Sequence, residues 1–246
     1  MKISFVIPAF NEEDRIVPCL QSVMRALALG AYDAEVILVN NASTDQTRER
    51  AATVAGVRVI DEPYKGLVRA RDTGFRASDG QLIANIDADT ILPAGWIETV
   101  LDEFRRDGRL AALSGPLIYL DLPVVTRGFI RVFYGLAYAA HLVMQCVFHV
   151  GAMIQGGNFV VRRSALEAIG GYNTAIDFYG EDTDIARRLS KKGRVKWTFR
   201  LPIYSSGRRL MEEGIVRVAA RYALNFFWVT FFGRPWTKKH TDIRTK

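Results

Sequence analysis

With 246 residues, 49% of them hydrophobic, the chain is long enough to bury a large core without staples. It is too short for two full-sized domains, so one α/β domain with an appendage is expected. The two cysteines, Cys19 and Cys146, stand far apart and in no metal-binding or redox spacing, which fits a reducing cytoplasm better than a disulfide scaffold. The net charge of +7 is lopsided, because Ser190 to Lys246 hold 14 Lys and Arg against 3 Asp and Glu, leaving about −4 for the first 189 residues. That basic end carries aromatics and no nucleic-acid motif, so its anionic partner is expected to be a membrane surface and not nucleic acid.

The opening "MKISFVIPAFNEE" has only a short apolar run and turns acidic at once, so no signal peptide is expected. Short runs rich in Val and Ile follow at 3–8, 35–40, 57–62, 81–87 and 110–115. Helix-like segments separate them, near 13–29, 45–55, 67–78 and 93–107. Strand and helix in alternation predict a mostly parallel sheet covered on both faces, with ligands bound beyond the carboxyl ends of the strands. The segments found there are "AFNEE", "NNASTD", "DEPYKG" and "DADT", polar and acidic throughout. "PAFNEEDRI" is neither of the glycine-rich phosphate loops, which counts against a dinucleotide enzyme and a P-loop kinase.

"ANIDADTILPAGW" ends an apolar run with Asp87 and Asp89, two residues apart and so able to face the same side of a strand. A bound cation would offset the cost of pairing two acids there, and a helix cap is the alternative. If Pro93 opens the next helix, the cap falls at Leu92 and both acids come too early for that role.

The second half changes character. Residues 126–149 look helical, with Arg127, Arg131, Tyr134, Tyr138, His141, Gln145 and His149 drawing one polar stripe at steps of four and three. That stripe is expected to be wet or hydrogen-bonded, and the broad apolar face to be core, interfacial, or a span. A further helix is expected over 214–236, ending in aromatics followed by Lys238 and Lys239, as a membrane interface attracts. A packed C-terminal helix is the plainer account.

Several motifs then agree together. "VIPAFNEE", "VNNASTDQT", "GLVRARDTGFRASDGQLIANIDADTILPAGWI", "GGNFVVRRSALEAIGGYN" and "GEDTDIARRLSKKGRV" come in the order and spacing of the inverting family-2 glycosyltransferases, which the chain resembles over about residues 1–205. The resemblance implies a GT-A fold, Rossmann-like with a mostly parallel sheet flanked by helices, with a nucleotide-sugar-binding half over 1–115 and an acceptor-binding and catalytic half over 116–205. Beyond it, a basic aromatic C-terminal helix and tail is expected over 206–246, and the aromatic cluster, the basic tail and the apolar face near 126–149 suggest that the C-terminal helical segments are membrane-associated.

It also implies transfer of a sugar from a UDP- or GDP-linked donor to a hydroxyl of a carbohydrate or lipid-linked acceptor, with Mg2+ or Mn2+. Asp89 would touch the metal, while Asp87 would meet it through water or hold the ribose beside Ala88. Pro8, Ala9, Asn11 and Glu12 would contact base and ribose, followed by Asn40 and Asn41. These are amides where many relatives carry an aspartate, leaving the base open between uridine and guanosine. Arg71 would reach a phosphate or pair with a carboxylate. Asp182 would be the general base, with helix capping as its alternative, and Glu181 would orient the acceptor. Gly156, Gly157 and Asn158 would form the acceptor floor or contact the diphosphate, tight strand packing being the other account. A histidine that several relatives use as a further metal ligand has no counterpart here, and Arg208 or Arg209 would clamp the diphosphate in its place. The expected setting is the cytoplasm, at the inner face of a membrane. A polyprenyl-phosphate sugar synthase and a non-catalytic nucleotide-sugar-binding subunit are the rival functions.

Overall fold

The computed structural model describes residues 1–148, 153–176, 179–234 and 236–237, with side chains left out over 144–148. Four apolar runs become parallel strands: β1 (Ile3–Ala9), β2 (Ala34–Asn41), β3 (Val57–Glu62) and β4 (Leu82–Ile86). They read as continuous hydrophobic runs because both sheet faces are covered. Phe5, Ile7, Leu38 and Ala84 pack on one side with α1 (Ile16–Ala28) and α4 (Trp96–Arg106). Val6, Val39 and Ile83 pack on the other with α3 (Leu67–Ala77). The short α2 (Thr47–Ala52) links β2 to β3.

Two boundaries differ from expectation. The strand expected over 81–87 stops at Ile86, since the amide and hydroxyl of Thr90 both donate to the Asp87 carbonyl, at 3.2 and 2.7 Å, and fold residues 87–90 into a turn. Asp87 and Asp89 therefore leave a turn and not a strand. The helix expected from Pro93 begins at Trp96, behind Gly95 at φ 79°, a left-handed conformation that glycine adopts without strain. Both acids precede that cap, so the capping account of them falls.

The chain then completes the same sheet. β6 (Leu110–Ser114), β8 (Asn158–Arg162) and β9 (Arg194–Trp197) extend it to the order β3-β2-β1-β4-β8-β6-β9, with β8 antiparallel to both neighbours. A second small sheet, β5-β10-β7, joins Thr90–Ile91, Ile203–Ser205 and Leu117–Tyr119 beside the acidic turn. Helices α6 (Arg163–Ala168) and α7 (Glu181–Leu189) complete the body, and α7 packs Ile185, Ala186 and Leu189 inward as its spacing predicts.

The long helix α5 (Val124–Phe148) is built inside out. The middle of its polar stripe faces the protein, with Tyr134 and His141 buried and Tyr138 packed on Trp197 and Phe199, while Arg131 of the stripe is exposed. The wet reading of His141 is thus corrected, because an aromatic wall occupies the position where water was expected. Burial lowers its pKa, and among the described residues its Nδ1 has no partner. Val125, Phe129, Val132, Leu136 and Val143, on the opposite side, are exposed. The side chain of Gln145 and all of His149 lie outside the described residues, as do Lys238 and Lys239. After α8 (Arg208–Glu213), α9 (Ile215–Phe232) repeats the pattern, burying Asn225 and Thr230 while Leu224, Phe227 and Phe231 face out. Among the described residues α9 is the one helix long and apolar enough to cross a membrane, by length and composition only.

Candidate active site

The acids meet around two glycines. A Cβ placed on Gly157 would lie 2.3 Å from Oδ2 of Asp87, and one on Gly156 would lie 3.2 Å from Oε1 of Glu181 and 3.7 Å from Oδ2 of Asp182. Only glycine lets this loop thread between the strand-tip acid and the pair that opens α7, and Gly157, at φ 80°, also needs a left-handed backbone. The loop thus joins two acidic motifs that lie about a hundred residues apart.

Arginines hold both sides. Arg71, from α3, is 1% exposed and contacts Asp87 Oδ1 through Nη2 at 3.3 Å and Glu181 Oε1 through Nη1 at 2.6 Å. The second contact lacks a well-aligned hydrogen bond, so charge and not hydrogen-bond geometry holds it. Of the two uses foreseen for Arg71, the structure has the carboxylate pairing. Arg208, at the start of α8, donates to Asp89 Oδ2 at 3.2 Å and to Glu12, whose amide in turn donates to Thr47 Oγ1 at 2.7 Å. Arg209 turns away to Glu213, which Arg221 of α9 also engages; Arg221 donates to the Tyr179 hydroxyl as well. The two neighbouring arginines therefore have separate partners.

The α7 acids are tuned by burial. Burial pushes the Glu181 carboxyl up to about 7, opposed by Arg71 and helped by the neighbouring Asp182. Asp182 is also raised, first by burial, while the Thr183 amide, donating to its Oδ1 at 2.8 Å, pulls it down. Gly180, left-handed at φ 81°, occupies the N-cap and no side chain caps this helix by a hydrogen bond, while Asp182 stands in its first turn, where the helix dipole favours an acid. Asp184 is buried on Arg187 and Arg188, as a structural residue.

At the carboxyl end of β1 Pro8 and Ala9 are buried, beside Asn40 on β2. Asn11, at φ 50°, and Ala42, at φ 57°, are left-handed without being glycine, a mild strain at the crevice that the sequence did not signal. Asn11 bonds to Thr44 and Ser43. Asn40 donates to Asp61 at 2.9 Å.

Three expected contacts are corrected. Asn41 donates to the Tyr64 carbonyl and accepts from the Gly66 amide, at 2.8 Å each, so its amide is spent on holding the 62–66 loop. Asn158 is fully buried, accepting from Trp96 Nε1 and donating to the Leu201 and Pro116 carbonyls, so its side chain is taken up in packing. The Ala88 side chain points into the core, so only its backbone can meet a ligand. Conversely, Tyr119, Tyr179 and Tyr222 escaped the sequence reading. Tyr179, in the turn before α7, and Tyr222, on α9, meet edge to face at 5.8 Å. No spacing rule marks tyrosines that a turn and a helix distant in sequence bring together.

Among the described residues no three His, Cys, Asp or Glu side chains converge as a ready-made metal cage. Two hard carboxylates on one turn do match the way Mg2+ or Mn2+ is held, by one or two acids with phosphate oxygens supplying the rest.

The model of glycosyl transferase family 2 matches residues 4–170, and the chain belongs to that family. The chain is 36% identical to the chondroitin synthase of Escherichia coli over 115 residues, which is 45% of this chain and 16% of that one. It is 30% identical to the dodecaprenyl-phosphate galacturonate synthase of Rhizobium johnstonii over 112 residues, 43% of this chain and 33% of that one. The chain thus spans well under half of these curated relatives. In three dimensions it matches a mannosyltransferase from Pyrobaculum calidifontis, solved with GDP-Man and Mn2+, at a TM-score of 0.68. That match has 21% identity and covers 92% of this chain and 62% of the other, and establishes the GT-A fold.

Proposed function

We propose that this protein is a metal-dependent inverting glycosyltransferase that moves a sugar from a UDP- or GDP-linked donor to an acceptor hydroxyl in cell-surface polysaccharide or glycolipid synthesis. The observation that carries the reading is the convergence of Asp87, Glu181 and Asp182 on the Gly156–Gly157 loop. Asp89 and Asp87 would hold Mg2+ or Mn2+, which when bound neutralises charge on the departing diphosphate. Pro8, Ala9, Asn11, Glu12 and Asn40 line the crevice for base and ribose. Asp182 accepts the proton of the attacking hydroxyl, and burial makes it a stronger base than an exposed aspartate. Glu181, buried and paired with Arg71, orients the acceptor. Arg208 neutralises Glu12 and Asp89 and lies within reach of a diphosphate placed beside them.

The outward apolar faces of α5 and α9, with Arg131 and Arg217 exposed among them, support contact with an anionic membrane at its cytoplasmic face. A lipid-linked acceptor fits that setting. A polyprenyl phosphate acceptor is the second reading, favoured by Arg209 and Arg221 beside Tyr179 and by the relative named for dodecaprenyl phosphate. A phosphate nucleophile needs no strong base, so the two readings differ in what Asp182 does.

Calorimetry of UDP and GDP binding, with and without Mn2+, tests the donor half. One nucleotide should bind at least about tenfold tighter with the metal, a gain of ~1.4 kcal/mol that Asp89→Ala removes. Equal affinity with and without Mn2+, or a gain that survives Asp89→Ala, would refute it.

A further inference from the structure

We infer that Arg71 is a positioning residue that ties the donor side of the site to the acceptor side. This rests on the proposed donor site at Asp87 and Asp89. Arg71 belongs to α3, Asp87 to the turn after β4, and Glu181 to the first turn of α7, so three elements distant in sequence meet on one guanidinium. At 1% exposure no solvent can compensate its charge. The Phe159 ring lies 5.3 Å from its central carbon and fills the space where water would otherwise stand. The planar fork of an arginine can engage two carboxylates at once, which a lysine ammonium does less well.

The consequence follows from charge compensation around a buried cation whose partner Asp87 is 30% exposed and so open to a ligand. A ligand that engages Asp87 draws that carboxylate away from Arg71, and the cation must then be met by the other carboxylate it contacts among the described residues, Glu181. The Nη1 contact is already 2.6 Å long, so what this improves is its alignment. Glu181 is the first residue of α7 and Asp182 the second, so a firmer grip on Glu181 fixes the backbone that carries the proton acceptor. Occupancy of the donor site thereby orders the acceptor side before the acceptor arrives.

Hydrogen exchange tests this without turnover. In the wild type, adding UDP or GDP with Mn2+, whichever binds, should slow amide exchange across α7 by about tenfold, the size of an ordinary coupling between sites. Glu181→Gln should bind the nucleotide with Mn2+ within about threefold of wild type yet lose that protection, since differences of this size are under 1 kcal/mol. Arg71→Met should lose it too, and Arg71→Lys should restore part of it. A residue that merely supports the fold would lower stability in these variants without removing the nucleotide-dependent protection. If the wild type binds neither nucleotide, the donor-site reading falls and this one with it. If it binds but α7 gains no protection, or the protection survives in Glu181→Gln, the coupling alone is refuted. Should Arg71→Met fail to fold, Glu181→Gln still decides.

Discussion

Helices α4 and α5 use the same residues in opposite senses. On α4, Phe104 is 2% exposed and packs against the sheet, while Asp102, Arg105 and Arg106 face water. On α5, Phe129 is 68% exposed, while Tyr134 and His141 are buried. The N-terminal half follows the usual rule, since its sheet is apolar on both faces and any helix laid on it must offer an apolar stripe. The C-terminal half offers α5 a different surface, the rings of Trp197 and Phe199 together with Gln155, whose side chain accepts from the Tyr134 hydroxyl at 3.1 Å. A stripe of tyrosines and a histidine suits that wall, and the apolar side is left for another medium. A hydrophobic periodicity therefore says that a helix has two faces, and not which one is buried.

The largest expected effect breaks the comparison at the chemistry. Asp182→Asn should lower transfer from the nucleotide sugar by several hundredfold, within the roughly 10²–10⁴ range of a lost general base, while nucleotide binding stays intact. Retention of much of the activity would favour the phosphate acceptor. Next comes the matched pair of phenylalanines. Phe104→Ala should cost about 3–5 kcal/mol in denaturant unfolding, the usual penalty for emptying a buried aromatic site. Phe129→Ala should change stability by less than about 0.5 kcal/mol, as exposed positions do. It should instead weaken co-sedimentation with vesicles containing anionic lipid, and unchanged partition would remove the membrane reading of α5.

Glu181 gives an effect of intermediate size. Its carboxyl is raised from 4.5 to about 7 in the folded protein. Below the unfolded value both states are protonated, and above it the unfolded chain ionises first, so stability falls as pH rises from about 4.5 to 7 and is level beyond. The total is at most about 3 kcal/mol. Melting curves of Glu181→Gln should lack that slope, and an identical slope in the variant would assign it to other groups. The smallest effect sharpens the comparison: His141→Leu removes a buried polar atom without a partner and should be neutral or stabilising by up to about 1 kcal/mol. A clear loss of stability would mean that this stripe needs its histidine.

Much of the N-terminal half was legible because its signals are local. Strand runs 3–8, 35–40 and 57–62 fall within a residue or two of β1, β2 and β3, and the acidic segments stand where a parallel sheet puts its ligands. The turn at 87–90 was less legible, since a side-chain hydrogen bond from Thr90 cut short a strand that the apolar run would have continued. Asn41 and Asn158 carry residue types common in sites, and each is consumed by backbone groups from loops distant in sequence.

The sequence by itself determined the alternation of strands and helices, the acids at the strand ends and the family, because each depends on residues near one another or on motif order. Only the tertiary structure decided which arginine meets which acid, which amides are already satisfied, and which face of α5 and α9 looks outward. Those outcomes depend on what a side chain finds across the fold, and burial and charge compensation are properties of the surroundings that no single stretch of chain contains.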